Sequence, residues 1–168
     1  QVMVRDVMGY FVDAYLVYMV EICSLNAAVR ATNPKKLYCA DHALAMAVAE
    51  KMTPDWGIIL ENIIFLHLRR QSDKIYYART ESGYEVDFVI ASSTDSLPLA
   101  LVQVCHEMEG PGTFERETRA LFEAMDEYGL VFSTMVTYNT QDLVEKDGKR
   151  IEVVPAWKFL LAPEQRNT

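Results

Sequence analysis

Glu85-Val86-Asp87-Phe88-Val89-Ile90 and Leu101-Val102-Gln103-Val104-Cys105 are the two stretches whose reading decides the fold of this chain. Both are short, rich in β-branched residues and read as strands. Side chains alternate along a strand, so Glu85 and Asp87 share one face of the first, and Gln103 and Cys105 one face of the second. An acid on one strand opposite a polar-x-polar pair on its neighbour is the skeleton of a metal-dependent phosphodiesterase site. Here the skeleton has a gap. Gln103 stands where a carboxylate would be, and Cys105 where a lysine would be.

Helices and strands alternate around these two segments. Lys74 to Arg79 reads as a strand, which a turn at Glu81-Ser82-Gly83 folds back onto Tyr84 to Ile90 as a hairpin. The loop Ala91 to Leu97 leads through Pro98 to the strand Leu99 to Cys105. Phe114 to Tyr128 is amphipathic, with Phe114, Thr118, Leu121, Met125 and Tyr128 on one stripe and Glu115, Arg116, Arg119 and Glu123 opposite. Leu130 to Tyr138 is the next strand, so residues 99–138 form a strand-helix-strand unit of the right-handed crossover kind. Asp147-Gly148 closes a last hairpin onto Arg150 to Val154. Pro155 opens a short helix through Leu161, and Ala162 to Thr168 is a polar tail.

Upstream, residues 1–14 have helical spacing at Val4, Val7, Met8, Phe11 and Val12. Tyr15 to Ile22 reads as a strand, Ser24 to Asn33 as a loop or short strand, and Lys35 to Cys39 as a short strand. Asp41 suits the N-cap of a helix from His42 to Met52, apolar nearly all round and therefore expected to be buried. Thr53-Pro54-Asp55 breaks it. The helix from Trp56 to Arg70 carries Glu61 and Asn62 in its apolar middle. The expected class is α/β, a mixed central sheet flanked by helices, over residues 33–168. Residues 1–32 are expected to be the remnant of a preceding segment, because a piece below about 40 residues rarely holds a core alone.

Composition narrows the function. The 168 residues are 51% hydrophobic and 24% charged, an ordinary globular balance. A formal charge of -8 argues against a broad electrostatic grip on nucleic acid. The three cysteines, Cys23, Cys39 and Cys105, make an odd number without a CxxC pair, which points away from a disulfide framework or zinc and toward a cytoplasmic setting. No apolar run reaches the length of a membrane span, so no membrane partner is expected. His42, His67 and His106 are scattered. His106 lies on the strand face opposite Cys105, which disfavours a Cys–His nucleophilic pair.

Glu61, Glu85 and Asp87 are the acids to weigh. Asp87 sits among Val86 and Phe88, and Glu61 interrupts an apolar helix. An acid in such surroundings has to be paired, hydrogen-bonded or ligating. The chemical reading is a Mg²⁺ site in which carboxylates hold the ion and the ion activates water and stabilises phosphate charge. The plain reading pairs Asp87 with an arginine such as Arg69, lets Glu61 bond an amide or Arg70, and leaves Glu85 solvated.

The succession Asn33-Pro34-Lys35-Lys36-Leu37-Tyr38, Asp41, Gly57, Leu60-Glu61-Asn62, Ile75-Tyr76-Tyr77 and Glu85-Val86-Asp87-Phe88-Val89 resembles a known family. It is similar to the C-terminal domain of unknown function of prokaryotic AAA-type ATPases, which in turn resembles the PD-(D/E)xK restriction-endonuclease-like fold. The resemblance covers roughly Asn33 to Leu161. It implies a restriction-endonuclease-like domain, an ATPase module earlier in the same parent chain, and a winged-helix-like segment of which residues 1–32 would be the end. The chain itself has no GxxxxGK[ST] pattern, so it does not carry nucleotide hydrolysis.

Carried over residue by residue, Glu61 matches the acid of the first helix and Asp87 the acid of the core motif, and both would ligate the metal. Gln103 and Cys105 fall on the (D/E)xK pair. Gln103 offers a carbonyl oxygen, but the neutral thiol of Cys105 supplies no positive charge. Losing such a preorganised charge typically costs a few kcal/mol of barrier. Lys74, Lys35 or Lys36 is a candidate to bring an ammonium from elsewhere, while Cys105 also reads as a small buried hydrophobe. Arg116 and Arg119 are candidates for phosphate contact, or else members of a solvated, paired helix face.

The expectation is therefore a degenerate nuclease-like module, used for recognition of DNA or of a protein partner beside its ATPase. Two alternatives stand beside it: an active Mg²⁺-dependent nuclease with a relocated lysine, and a docking or homo-oligomerisation domain.

Overall fold

The computed structural model describes residues 2–48, 55–92, 97–106 and 112–162. The expected helix end at residues 49–52, the breaker at Thr53-Pro54, most of the loop before Pro98 and the tail beyond Ala162 lie outside the described residues.

The order is α1 (Val2–Asp13), β1 (Val17–Val20), α2 (Ala27–Thr32), β2 (Lys36–Cys39), α3 (His42–Val48), α4 (Trp56–Gln71), β3 (Ile75–Arg79), β4 (Glu85–Ala91), β5 (Pro98–Cys105), α5 (Thr113–Tyr128), β6 (Phe132–Thr137), β7 (Asp142–Lys146), β8 (Lys149–Pro155) and α6 (Ala156–Leu161). Six strands form one mixed sheet in the order β3-β4-β5-β6-β8-β7. The first hairpin, β3–β4, is antiparallel, as is the β4–β5 pair. α5 then carries the chain over to β6, which runs parallel to β5 and to β8. The expected α/β class, with a mixed sheet flanked by helices, is the one observed.

Local chemistry explains the edges of these elements. Asp55 accepts the amide of Ile58 and caps α4. α5 ends at Gly129, whose φ of 67° is the left-handed geometry that terminates a helix. Asp147 and Gly148 both have positive φ, as the tight turn between β7 and β8 requires.

Each face of the sheet has its own core. On one face Leu60, Ile64, Phe65 and Leu68 of α4 pack on Phe88, Val102, Val136 and Val154. On the other, Ala120, Leu121, Ala124 and Met125 of α5 pack on Val89, Leu101, Met135, Ile151 and Val153.

A second, two-stranded sheet joins β1 to β2, pairing Val17 with Cys39 and Val20 with Lys36. The expected boundary near Asn33 thus falls between two strands that pair with each other. The small sheet reaches the large one where Ile22 bridges Tyr77. Tyr38 stacks on Phe65 with ring centroids 4.2 Å apart.

Two expectations are corrected. Residues 27–32 are helical rather than loop or strand, because Asn26 accepts the amide of Ala28 and the Asn33 side chain donates to the carbonyl of Val29. α3 is apolar but not buried: Leu44 and Met46 are exposed at 51% and 41%, since only one side of this short helix meets β2 and α4.

Candidate functional site

The site is built where β4 and β5 begin to part. Their ladder pairs Phe88 with Val102. Continued, that register would set Asp87 against Gln103, and there side chains take over from backbone. The Asp87 amide donates to Gln103 Oε1 at 3.1 Å, and the Val104 amide donates to Asp87 Oδ2 at 2.9 Å.

β4 is also bulged at this point. Ala78 faces Val86 while Tyr76 faces Val89, so two β4 residues, Asp87 and Phe88, oppose Tyr77 alone. Val86 and Val89, three apart, both pack on the α5 side, which strict alternation forbids. The bulge breaks the alternation and re-aims Asp87, a recurring use of this irregularity.

Lys36 completes the cluster from the other sheet. Its ammonium lies 2.8 Å from Asp87 Oδ1, 2.9 Å from Glu85 Oε1 and 3.2 Å from Glu61 Oε1. Lys36 and Tyr38 are two apart on β2 and so share a face, and the Tyr38 hydroxyl donates to the same Glu61 oxygen at 2.7 Å. Just beyond, the buried Asn62 side chain accepts the amide of Cys39 and donates to its carbonyl. Together these contacts fasten β2 onto α4 and β4.

The electrostatics follow from Lys36 facing three carboxylates in a largely buried place, with the exposed Arg79 at the rim 3.4 Å from Glu85. Burial, and then the charge of Glu61, raise the Asp87 carboxyl from 3.8 to about 6, although Lys36 and the Val104 amide pull it down. Burial works against the Lys36 charge, but Asp87 and Glu61 outweigh it and hold the ammonium above its ordinary value. Burial and Glu61 push the Tyr38 hydroxyl up, so it stays a donor.

The sequence candidates divide accordingly. Glu61 and Asp87 converge, joined by Glu85, and Asp87 meets Lys36 rather than an arginine. Gln103 sits beside them, but its oxygen is held by Asp87 N–H and its amide donates to Glu117 Oε2 at 2.7 Å. Cys105 is buried in the α5-side core, its thiol raised to about 11 by burial and the charge of Glu117, with Arg116 opposing. It supplies no charge.

Arg116 is exposed, pairs with Glu117 and reaches the rim of a cleft of about 260 Å³ that Asp87 and Gln103 also line. Arg119 donates to the Tyr84 hydroxyl at 2.9 Å and lies over that ring. Among the described residues, neither arginine pairs with Glu61, Glu85 or Asp87. Glu117 and Tyr38 are not among the site residues that the sequence points to. Spacing offered a signal for Tyr38, two residues from a lysine on a short strand, and none for Glu117.

Mg²⁺ does not fit these residues as they stand. A hard divalent ion needs free carboxylate oxygens and room for its waters. Asp87 has one oxygen on Lys36 and the other on Val104 N–H, while Glu61 Oε1 serves Tyr38 and Lys36. Among the described residues, no group of three or more His, Cys, Asp or Glu is arranged to hold a metal ion. No described helix is long and apolar enough to cross a membrane.

Residues 56–159 match the model of a family described as a domain of unknown function, DUF4143. The uncharacterized protein MJ1544 of Methanocaldococcus jannaschii is 30% identical over an alignment of 168 positions that covers 94% of this chain and 36% of that protein. The chain thus spans little more than a third of that curated relative's length. No solved structure matches.

Proposed function

The chain belongs to the DUF4143 family, and we propose that it is a nuclease-like module without catalytic activity that recognises a protein partner. One observation carries this reading: the Lys36 ammonium stands within 3.2 Å of Glu61, Glu85 and Asp87, where a catalytic metal would be needed. The second support is Cys105, a thiol kept neutral at the place of the motif lysine. Without a free cation site and a charge aimed at a scissile phosphate, the two largest contributions to phosphodiester cleavage are missing.

The surface favours a protein over DNA. The net charge is -8, and Arg116, a candidate phosphate contact, is already paired with Glu117. Large apolar side chains are exposed close together instead. Met19 and Leu37 are partners in register on the outer face of the small sheet, and Leu37 and Ile58 line one cleft. Exposed apolar patches of this kind mark interaction surfaces. The partner the resemblance implies is an ATPase module of the same parent chain, with a second copy of this chain as the competing occupant.

The test is cleavage of supercoiled plasmid by the purified chain with Mg²⁺ or Mn²⁺, beside sedimentation and a low-salt duplex-binding assay. No nicking and no duplex binding are expected. Nicking that Asp87→Ala abolishes would establish the opposite reading, an active nuclease with Lys36 as the relocated lysine. That alternative is favoured by the approach of Lys36 to Glu61 and Asp87. Duplex binding weakened by Arg116→Ala or Arg119→Ala would move the partner from protein to DNA.

A further inference from the structure

We infer that Lys36 is a tethered substitute for the divalent cation that a carboxylate centre of this kind would carry, and that removing its charge opens the centre to such a cation. The inference rests on the reading of the module as inert. It adds what the lysine does there and which ligand class takes its place.

An ammonium has three donors, and here each meets a different carboxylate, on α4 and on β4. A bound cation would cross-link those two elements in the same way. The difference is that the lysine arrives on β2, from another sheet, so its charge also fastens the small sheet to the large one. Further contacts hold the lysine in register: Tyr38 on Glu61, Asn62 on both polar backbone groups of Cys39, and the Tyr77 hydroxyl on the carbonyl of Pro34. The lysine side chain is only 19% exposed, and Asp87 is 11%. Withdrawing the ammonium leaves Glu61 and the buried Asp87 without a counter-charge, and Glu85 with only the exposed Arg79 at 3.4 Å. Such a group must take up protons or a cation. Oxygen ligands alone select a hard divalent ion.

The experiment is a Mn²⁺ titration of wild type, Lys36→Met and Lys36→Arg, read by electron paramagnetic resonance and thermal melting near neutral pH. Wild type and Lys36→Arg are expected to melt alike whether Mn²⁺ is present or not. Lys36→Met should melt lower, bind Mn²⁺ at least tenfold more tightly than wild type, and regain stability with it. Adding Asp87→Asn to Lys36→Met should abolish that uptake. If Lys36→Met folds only with Mn²⁺, the inference stands. If it folds in neither condition while Lys36→Arg folds normally, a free cation cannot replace the lysine and the inference falls. It also falls if wild type takes up Mn²⁺ in an Asp87-dependent manner, or if Lys36→Met melts like wild type and binds none. That last result leaves the inert reading intact, whereas plasmid cleavage by wild type removes the reading itself.

Discussion

The six-stranded sheet and the β1–β2 sheet bury their residues in opposite ways. On the large sheet, Phe88 and Val136 are sealed under α4, and Val89, Leu101 and Met135 under α5, all with no exposed area. The small sheet covers one face only. Tyr38 and Val20 turn inward, while Met19 and Leu37 on the outer face stay 45% and 51% exposed. Its hold on the rest of the molecule is mixed: Val20 and Tyr38 enter the α4-side core, with Tyr18 and Tyr38 against Phe65, and Lys36, the Asn62 side chain and Tyr77 add polar ties. The large sheet therefore stands on area removed from water, which pH scarcely changes. The docking of the small sheet adds a charged tie, Lys36, to that apolar contact. The candidate site lies on the seam between the two.

Substitutions should separate these two modes of support. The largest effect is expected inside the large sheet: Phe88→Ala should cost about 3–5 kcal/mol in urea unfolding, from lost burial and the cavity left behind. Lys36→Met should come next, at about 3 kcal/mol, the low end for stripping one partner from a buried ion cluster because the lysine keeps some exposure. A Lys36→Met loss as large as that of Phe88→Ala would mean that the seam, not the core, limits stability.

Acid should act on the seam as well. The Asp87 carboxyl titrates at about 6 when folded, above the 3.8 of an ordinary carboxyl. Between those values the folded chain holds a proton that the unfolded chain has released. This group's contribution is therefore greatest at low pH and is lost as pH rises through the interval. Asp87→Asn should remove that slope from stability measured between pH 4 and 6, and an unchanged slope would assign it to another group. The smallest stability effect is expected at Leu37→Ser, within about 0.5 kcal/mol of wild type. The same change should weaken any association that sedimentation detects.

Much of the large sheet was legible in the sequence because its elements obey one rule each. The hairpin over 74–90, the crossover through α5 and the Asp147-Gly148 turn are fixed by period and turn chemistry alone. The exposure of α3 was not legible, since an apolar helix looks the same whether a neighbour covers one side or all of it. The site was half legible. Glu61 and Asp87 stood out as acids in apolar surroundings, and a lysine from elsewhere was anticipated among three candidates. Which lysine arrives depends on how the small sheet docks, a contact between residues 51 apart in sequence that no local pattern encodes. The bulge at Asp87 and Phe88 was equally hidden, because an extra residue in a strand becomes visible only against its partner.

A double-mutant cycle between Lys36 and Asp87, using Lys36→Met, Asp87→Asn and the double variant, measures whether the ammonium serves as the cation of the carboxylates, above pH 6 where the Asp87 carboxyl is ionised. If the ammonium is the centre's cation, the two losses will be strongly non-additive, with a coupling of about 1–3 kcal/mol, and the double variant will be more stable than Lys36→Met alone. Additive losses, with a coupling below about 0.5 kcal/mol, would contradict it.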